Sequence, residues 1–118
     1  MPLNSFQDVK DLINQILAAN GQKDDAEGSR HGDFWNNLTY DKFTTGNVPG
    51  VLDKKTHQPV RILIPKDSAA SAIIQLLSGI GLAGPGGSFP RMPADGPPYF
   101  SSDQIKQIAD WIDAGCPQ

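Results

Sequence analysis

The clearest hydrophobic pattern lies near the C-terminal end. In "SSDQIKQIADWIDAGCP", Ile105, Ile108, Ala109 and Ile112 recur at helical spacing, with Trp111 at the border of the stripe. Ser101 followed by Gln104 has the spacing of a capping box, and Gly115 and Pro117 mark a stop. A helix is predicted between them. A second is predicted near the N-terminus, where Ser5 can cap and Phe6, Val9, Leu12, Ile13, Ile16 and Leu17 share one face, with Gly21 as the stop. A third begins at Asp67 or Ser68, buries Ile73, Ile74, Leu76 and Leu77, uses small Ala69, Ala70 and Ala72 for close packing, and ends near Gly79.

The intervening segments carry weaker signals. "GQKDDAEGSRHGD" has no apolar residue larger than alanine and is expected to be a solvated loop. In "FWNNLTYDKFTTGNVPG", Thr39 is placed to cap a short helical turn ending at Gly46, with Trp35, Leu38, Tyr40 and Phe43 as anchors. Val60 to Ile64 ("VRILI") is β-like and Pro65 ends it, which predicts an extended segment or a small ribbon at most. "GIGLAGPGGSFPRMPADGPP" is expected to be a long loop packed by its own side chains or kept for function.

Size and composition narrow the class. At 118 residues the chain is expected to form a single domain, 1–118, with one core. Twelve glycines and ten prolines predict long ordered loops between a few elements. The formal net charge is −3 and the ten Lys and Arg residues are scattered, which argues against nucleic-acid binding. No apolar run approaches a membrane span. The start, "MPLNSFQDVKDL", lacks a basic region and an apolar core of a secretory signal, so a cytoplasmic location is expected, or a mature periplasmic fragment behind an added Met. Cys116 is the single cysteine, so no disulfide can close within the chain.

The order of elements, with "IPKDSAASAIIQLLSG" followed by "RMPADGPPYFSSDQIKQIADWIDAGCP", resembles the bacterial, planctomycete-type cytochrome c-like domains over residues 62–117. The resemblance implies a mainly α, cytochrome c-like fold of three principal helices with long ordered loops. It places Met92 at the position of the family's distal haem ligand, and Trp111 and Ile112 on the C-terminal helix that packs across the N-terminal one. Where the family carries C-x-x-C-H, this chain reads "LAANGQKDDAEG", with neither cysteine nor histidine. Covalent haem attachment as normally built is therefore excluded.

Two functional expectations follow. One is a haem-less domain serving as a non-catalytic interaction or scaffold module for an unidentified protein partner, with no cofactor. Residues 22–36 and 84–100 would then form the contact surface, and Phe34, Trp35, Tyr40, Phe43, Phe89, Tyr99 and Phe100 would fill the space of the lost porphyrin. The alternative is a redox or ligand-binding protein holding haem or another cofactor non-covalently, with Met92 and His31 as cofactor-binding residues. The plainer readings are that Met92 is an apolar plug, His31 a polar loop residue and His57 a turn residue. Asp24, Asp25 and Glu27 beside His31 match no metal-loop spacing and read as an acidic surface loop. Ser68, Ser71, Ser101 and Ser102 read as helix caps, Cys116 as an unreactive thiol, and "GPGGS" lacks the lysine of a phosphate loop. No base–nucleophile pair is visible, so catalysis by the chain alone is a third option.

Overall fold

The computed structural model describes residues 3–19, 21, 34–53, 55–84, 87, 89, 91, 92 and 99–118. Helix α1 spans Phe6–Ala19. Ser5 Oγ accepts the Asp8 N–H at 3.1 Å, while the Asp8 carboxylate accepts the Asn4 N–H at 2.9 Å. These bonds serve amide groups that a helix start leaves without partners, and Asp8 sits favourably at the positive end of the dipole. Phe6, Val9, Ile13, Ile16 and Leu17 are buried, as their spacing predicts.

Two short helices follow, α2 (Phe34–Asn37) and α3 (Tyr40–Thr45). α2 is tied to α1 by polar bonds: Trp35 Nε1–H donates to Asn14 Oδ1 at 2.8 Å, and the Asn14 and Asn36 amides exchange two more. Thr39 caps α3 by accepting the Lys42 N–H, and Gly46 ends it. The core centres on Phe43, which has no exposed surface. Its ring lies 4.9 Å from Phe6, stacks on Phe34 at 6.1 Å and meets Trp111 at 6.5 Å, centroid to centroid.

Strands β1 (Asn47–Leu52) and β2 (Pro59–Arg61) pair antiparallel, Asn47 opposite Arg61 and Leu52 opposite Pro59, with an irregular register between. Asp53 makes the reversal: its Oδ1 accepts the Lys55 N–H at 2.8 Å, a side chain standing in for a turn carbonyl. After β2 the chain stays extended. Ile62 and Leu63 are almost wholly buried, and the Ile62 carbonyl accepts the Ile73 N–H at 2.9 Å. Pro65 and Lys66 occupy the central positions of a tight turn in which the Asp67 N–H reaches the Ile64 carbonyl.

Helix α4 covers only Ala72–Ser78, later than the start predicted at Asp67 or Ser68. Ser71 is the reason. It is fully buried, and its hydroxyl accepts the Ile64 N–H at 2.8 Å and donates to the Asp67 carbonyl at 2.8 Å. It staples residues 64–71 into a turn and makes no side-chain cap bond to the helix. A 3₁₀ turn, Gly81–Ala83, follows α4. The last helix, α5 (Ser102–Asp113), has the predicted capping box of Ser101 and Gln104. Its end is a Schellman motif: Gly115 N–H reaches the Ile112 carbonyl and Cys116 N–H the Trp111 carbonyl, with Gly115 at φ 93°.

The expected mainly α, cytochrome c-like fold of three principal helices is thereby corrected. Among the described residues there are five α-helices and a two-stranded antiparallel sheet. Residues Phe34–Asn37 and Tyr40–Thr45 become helical because Phe34, Trp35 and Phe43 have a core to enter. Residues 47–61 become a sheet because the Asp53 turn folds β1 back onto β2. Part of the expected long loop is also bonded back onto the preceding elements: Phe89 N–H reaches Leu82 in the 3₁₀ turn and Met92 N–H reaches Leu76 in α4.

Trp111, with 1% of its surface exposed, is expected to cost about 3–5 kcal/mol on replacement by Ala. Ser71→Ala leaves the Ile64 N–H and Asp67 carbonyl without that hydroxyl and is expected to cost about 1–3 kcal/mol. Equilibrium denaturant unfolding measures both; losses below about 1 kcal/mol for Trp111 contradict its place in the core.

Candidate functional site

Of the two residues singled out as cofactor ligands, His31 lies outside the described residues, as do Asp24, Asp25 and Glu27. Met92 sits at the C-terminal end of α4. Its N–H donates to the Leu76 carbonyl at 2.9 Å, and Arg91 Nε donates to the Leu77 carbonyl at 3.1 Å. Both carbonyls belong to the last turn of α4, where a helix lacks its own donors and a cation is favourable. The Arg91 guanidinium also lies over the Tyr99 ring, 4.4 Å from its centroid. The Met92 side chain is half-buried against the core. Its main chain thus closes a helix, a role independent of its thioether.

Of the aromatic residues expected to occupy the interior, Phe34, Trp35, Phe43 and Phe100 are buried. Tyr40, Phe89 and Tyr99 are half-buried. Phe6, from α1, joins them through Phe43 and Tyr40. His57 is exposed in the turn between β1 and β2, in a left-handed conformation at φ 59°. Among the described residues no group of three or more His, Cys, Asp or Glu side chains is arranged to hold a metal ion.

Ser68, Ser71, Ser101 and Cys116 are engaged structurally. Ser68 N–H and Oγ–H both donate to the Asp113 carboxylate, at 2.9 and 2.8 Å, tying the turn before α4 to the end of α5. Ser71 is the buried staple and Ser101 the cap of α5. Cys116 is buried behind the Schellman turn, and its carbonyl accepts the Tyr40 hydroxyl. Burial pushes the Cys116 thiol from an ordinary 9.0 up to about 11. A thiolate, the reactive form, is therefore suppressed at neutral pH.

The surface offers more than the interior. Leu52, Ile64 and Ile80 are large aliphatic residues left exposed, at 54%, 37% and 53%. Ile64 lines an open groove of about 220 Å³ between the ribbon and the start of α4, with Asp53, Pro59, Arg61, Ala70 and Leu82 among its other walls. Leu52 pairs with Pro59 on the ribbon beside it. A second groove, about 300 Å³, runs between α1 and the start of α5 past Leu12, Ile16, Tyr99 and Gln104. Both volumes lie at or below the range of about 300–1,000 Å³ typical of small-molecule sites, and both grooves are open. They suit a side chain of a partner better than a porphyrin-sized cofactor.

The contact surface expected at residues 22–36 and 84–100 lies for the most part outside the described residues. The exposed aliphatic positions were missed by pattern reading. "VRILI" reads as an extended segment or small ribbon without marking which residues face water; the turn at Pro65 leaves Ile64 outward while Ile62 and Leu63 are buried. "NVPGVL" carries Pro and Gly and gives no strand signal by itself. Among the described residues no helix is long and apolar enough to cross a membrane. Comparison of the chain with protein-family models, with curated proteins and with solved structures finds no match.

Native protein is expected to leave Cys116 unlabelled by a thiol reagent at about pH 8 and to label fully in denaturant. The folded thiol's pKa is raised, so this site leaves stability intact below 9.0 and reduces it as pH rises towards about 11. Cys116→Ala should remove that part of the alkaline decline, read from denaturation midpoints across the same pH range.

Proposed function

We propose that this chain is a non-catalytic protein-interaction or scaffold module that works without haem. The observation that carries the reading is the set of exposed aliphatic side chains: Leu52 and Ile64 on and beside the ribbon, and Ile80 at the end of α4. Large aliphatic groups left in water beside a shallow groove favour burial against another protein. Two further features support it. Ser68, Ser71, Ser101 and Cys116 are committed to a junction, a staple, a cap and burial respectively. Phe43 and its neighbours pack against one another in the core. The haem-less part of the reading rests on the resemblance of residues 62–117 to cytochrome c-like domains and on the missing C-x-x-C-H. No observation among the described residues favours haem held by Met92 and His31.

A titration of the protein with haem is expected to give no stoichiometric Soret band and no rise in Tm. A stoichiometric band lost in Met92→Ala overturns the haem-less reading. Leu52→Glu and Ile64→Glu replace exposed side chains and are expected to leave Tm within a few degrees of wild type while abolishing co-purification of the partner. Retention of the same partners by both variants at wild-type yield contradicts the proposed docking face.

A further inference from the structure

The bonds between Ser68 and Asp113 join parts of the chain that lie 45 residues apart. Ser68 is half-buried and Asp113 exposed, so the pair lies at the surface. Beside it the Lys66 N–H reaches the Ile112 carbonyl, and the Lys66 side chain runs past Gly115. Asp67 turns its own carboxylate onto the Ala70 N–H. Among the described residues the one ion pair is Lys106 with Asp110, a turn earlier on α5, so no described cation pairs with Asp113. Among the described serines, only Ser68 donates its hydroxyl to a carboxylate. Ser5 and Ser101 accept amide protons at the starts of α1 and α5, and Ser102 is the first residue of α5. Negative charge added at those positions meets the positive end of a helix. Ser71 is fully buried. At Ser68 alone of these would added negative charge replace a bond by a repulsion.

We propose that the Ser68–Asp113 pair is a latch on the ribbon and that phosphorylation of Ser68 opens it. A protein kinase moves the γ-phosphoryl group of a nucleoside triphosphate to Ser68 Oγ. A P–O bond to the serine forms, the bond to the departing diphosphate breaks, and the hydroxyl proton passes to solvent. The donor that reached Asp113 is lost, and a group of charge about −2 faces the carboxylate instead. Like charges so close repel, and salt weakens the repulsion. With the pair apart, the bond from Lys66 to Ile112 loses its lateral support, and the turn that carries Ile64 loses its hold on α5. Ile64 belongs to the exposed aliphatic face, so control of docking by the latch rests on the reading of the chain as an interaction module.

The test uses the full chain with phosphoserine incorporated at position 68, beside the variants Ser68→Ala and Asp113→Asn. Hydrogen exchange of the Lys66 amide reads the junction directly. Ser68→Ala removes the hydroxyl bond alone, whereas the phosphate adds repulsion. The phosphorylated chain is expected to exchange at Lys66 at least about tenfold faster than Ser68→Ala and to melt several degrees lower. Placing the phosphate in an Asp113→Asn background should return both values to those of Asp113→Asn alone, and about 1 M salt should narrow the difference. Exchange and Tm equal to those of Ser68→Ala overturn the latch. So does a phosphorylated chain as stable as the unmodified one, in which a cation such as Lys66 holds the phosphate. A loss of the same size in the Asp113→Asn background also overturns it. Peptide mapping of the chain from its own cells is expected to find a phosphorylated fraction at Ser68, and its absence in every growth state overturns the modification. None of these readouts needs a partner. Failure of the module reading shows separately, as partners retained by Leu52→Glu and Ile64→Glu.

Discussion

The last carbonyls of α5 have no donors within their own helix, and separate parts of the chain must supply them. Gly115 and Cys116 fold back to two of them, and Lys66, from the turn after the ribbon, donates to the Ile112 carbonyl at 2.8 Å. Lys66 reaches it in a left-handed conformation, φ 70°, that a residue with a side chain adopts at a cost. The neighbouring Ser68–Asp113 bonds hold the same junction from the side. Once residues 64–68 are fixed against α5, Ile62 and Leu63 are placed in the core and the Ser71 staple determines where α4 begins. The ribbon, α4 and α5 are therefore oriented by one polar junction.

That junction also decides what the surface presents. The turn at Pro65 and Lys66 points the chain away from the core one residue after Leu63, so Ile64 stays half in water beside Arg61 and the ribbon. Inside, the aromatic rings around Phe43 pack edge and face against one another. Met92, which as an isolated motif suggests a metal ligand, uses its main chain to close α4 while Arg91 stacks on Tyr99. The proposed role in binding a partner follows from this division, with polar and aromatic groups spent on holding the fold and aliphatic groups left at the ribbon.

How much of this was legible beforehand depends on how far apart the interacting residues lie in the chain. The stripe Phe6, Val9, Ile13, Ile16 and Leu17, the Thr39 cap and the Ser101–Gln104 box were all readable, because each involves residues within a few helical turns. The Gly115 stop was readable for the same reason. Ser71 does stand at the N-cap position, as read, but its hydroxyl serves the preceding turn and not the helix, a distinction that a serine before an apolar run does not reveal. The acceptor of Lys66, the partner of Ser68 and the strand opposite Pro59 left no mark in the local pattern. Of the candidate site, Ile64 and Arg61 stood inside a run that read as an extended segment or small ribbon, with no sign of which residues stay exposed, and Leu52 inside a segment broken by Pro49 and Gly50.

The sequence by itself determined the two long helices, their caps and buried faces, and the absence of the attachment motif for covalent haem. These follow from side-chain periodicity and from hydrogen bonds between near neighbours, which the order of residues specifies directly. The tertiary structure decided the sheet, the start of α4, the closing role of Met92 and the exposure of Leu52, Ile64 and Ile80. Each depends on a donor meeting an acceptor or a side chain meeting a core from a distant part of the chain. Such a pairing exists only after the intervening chain has folded back upon itself.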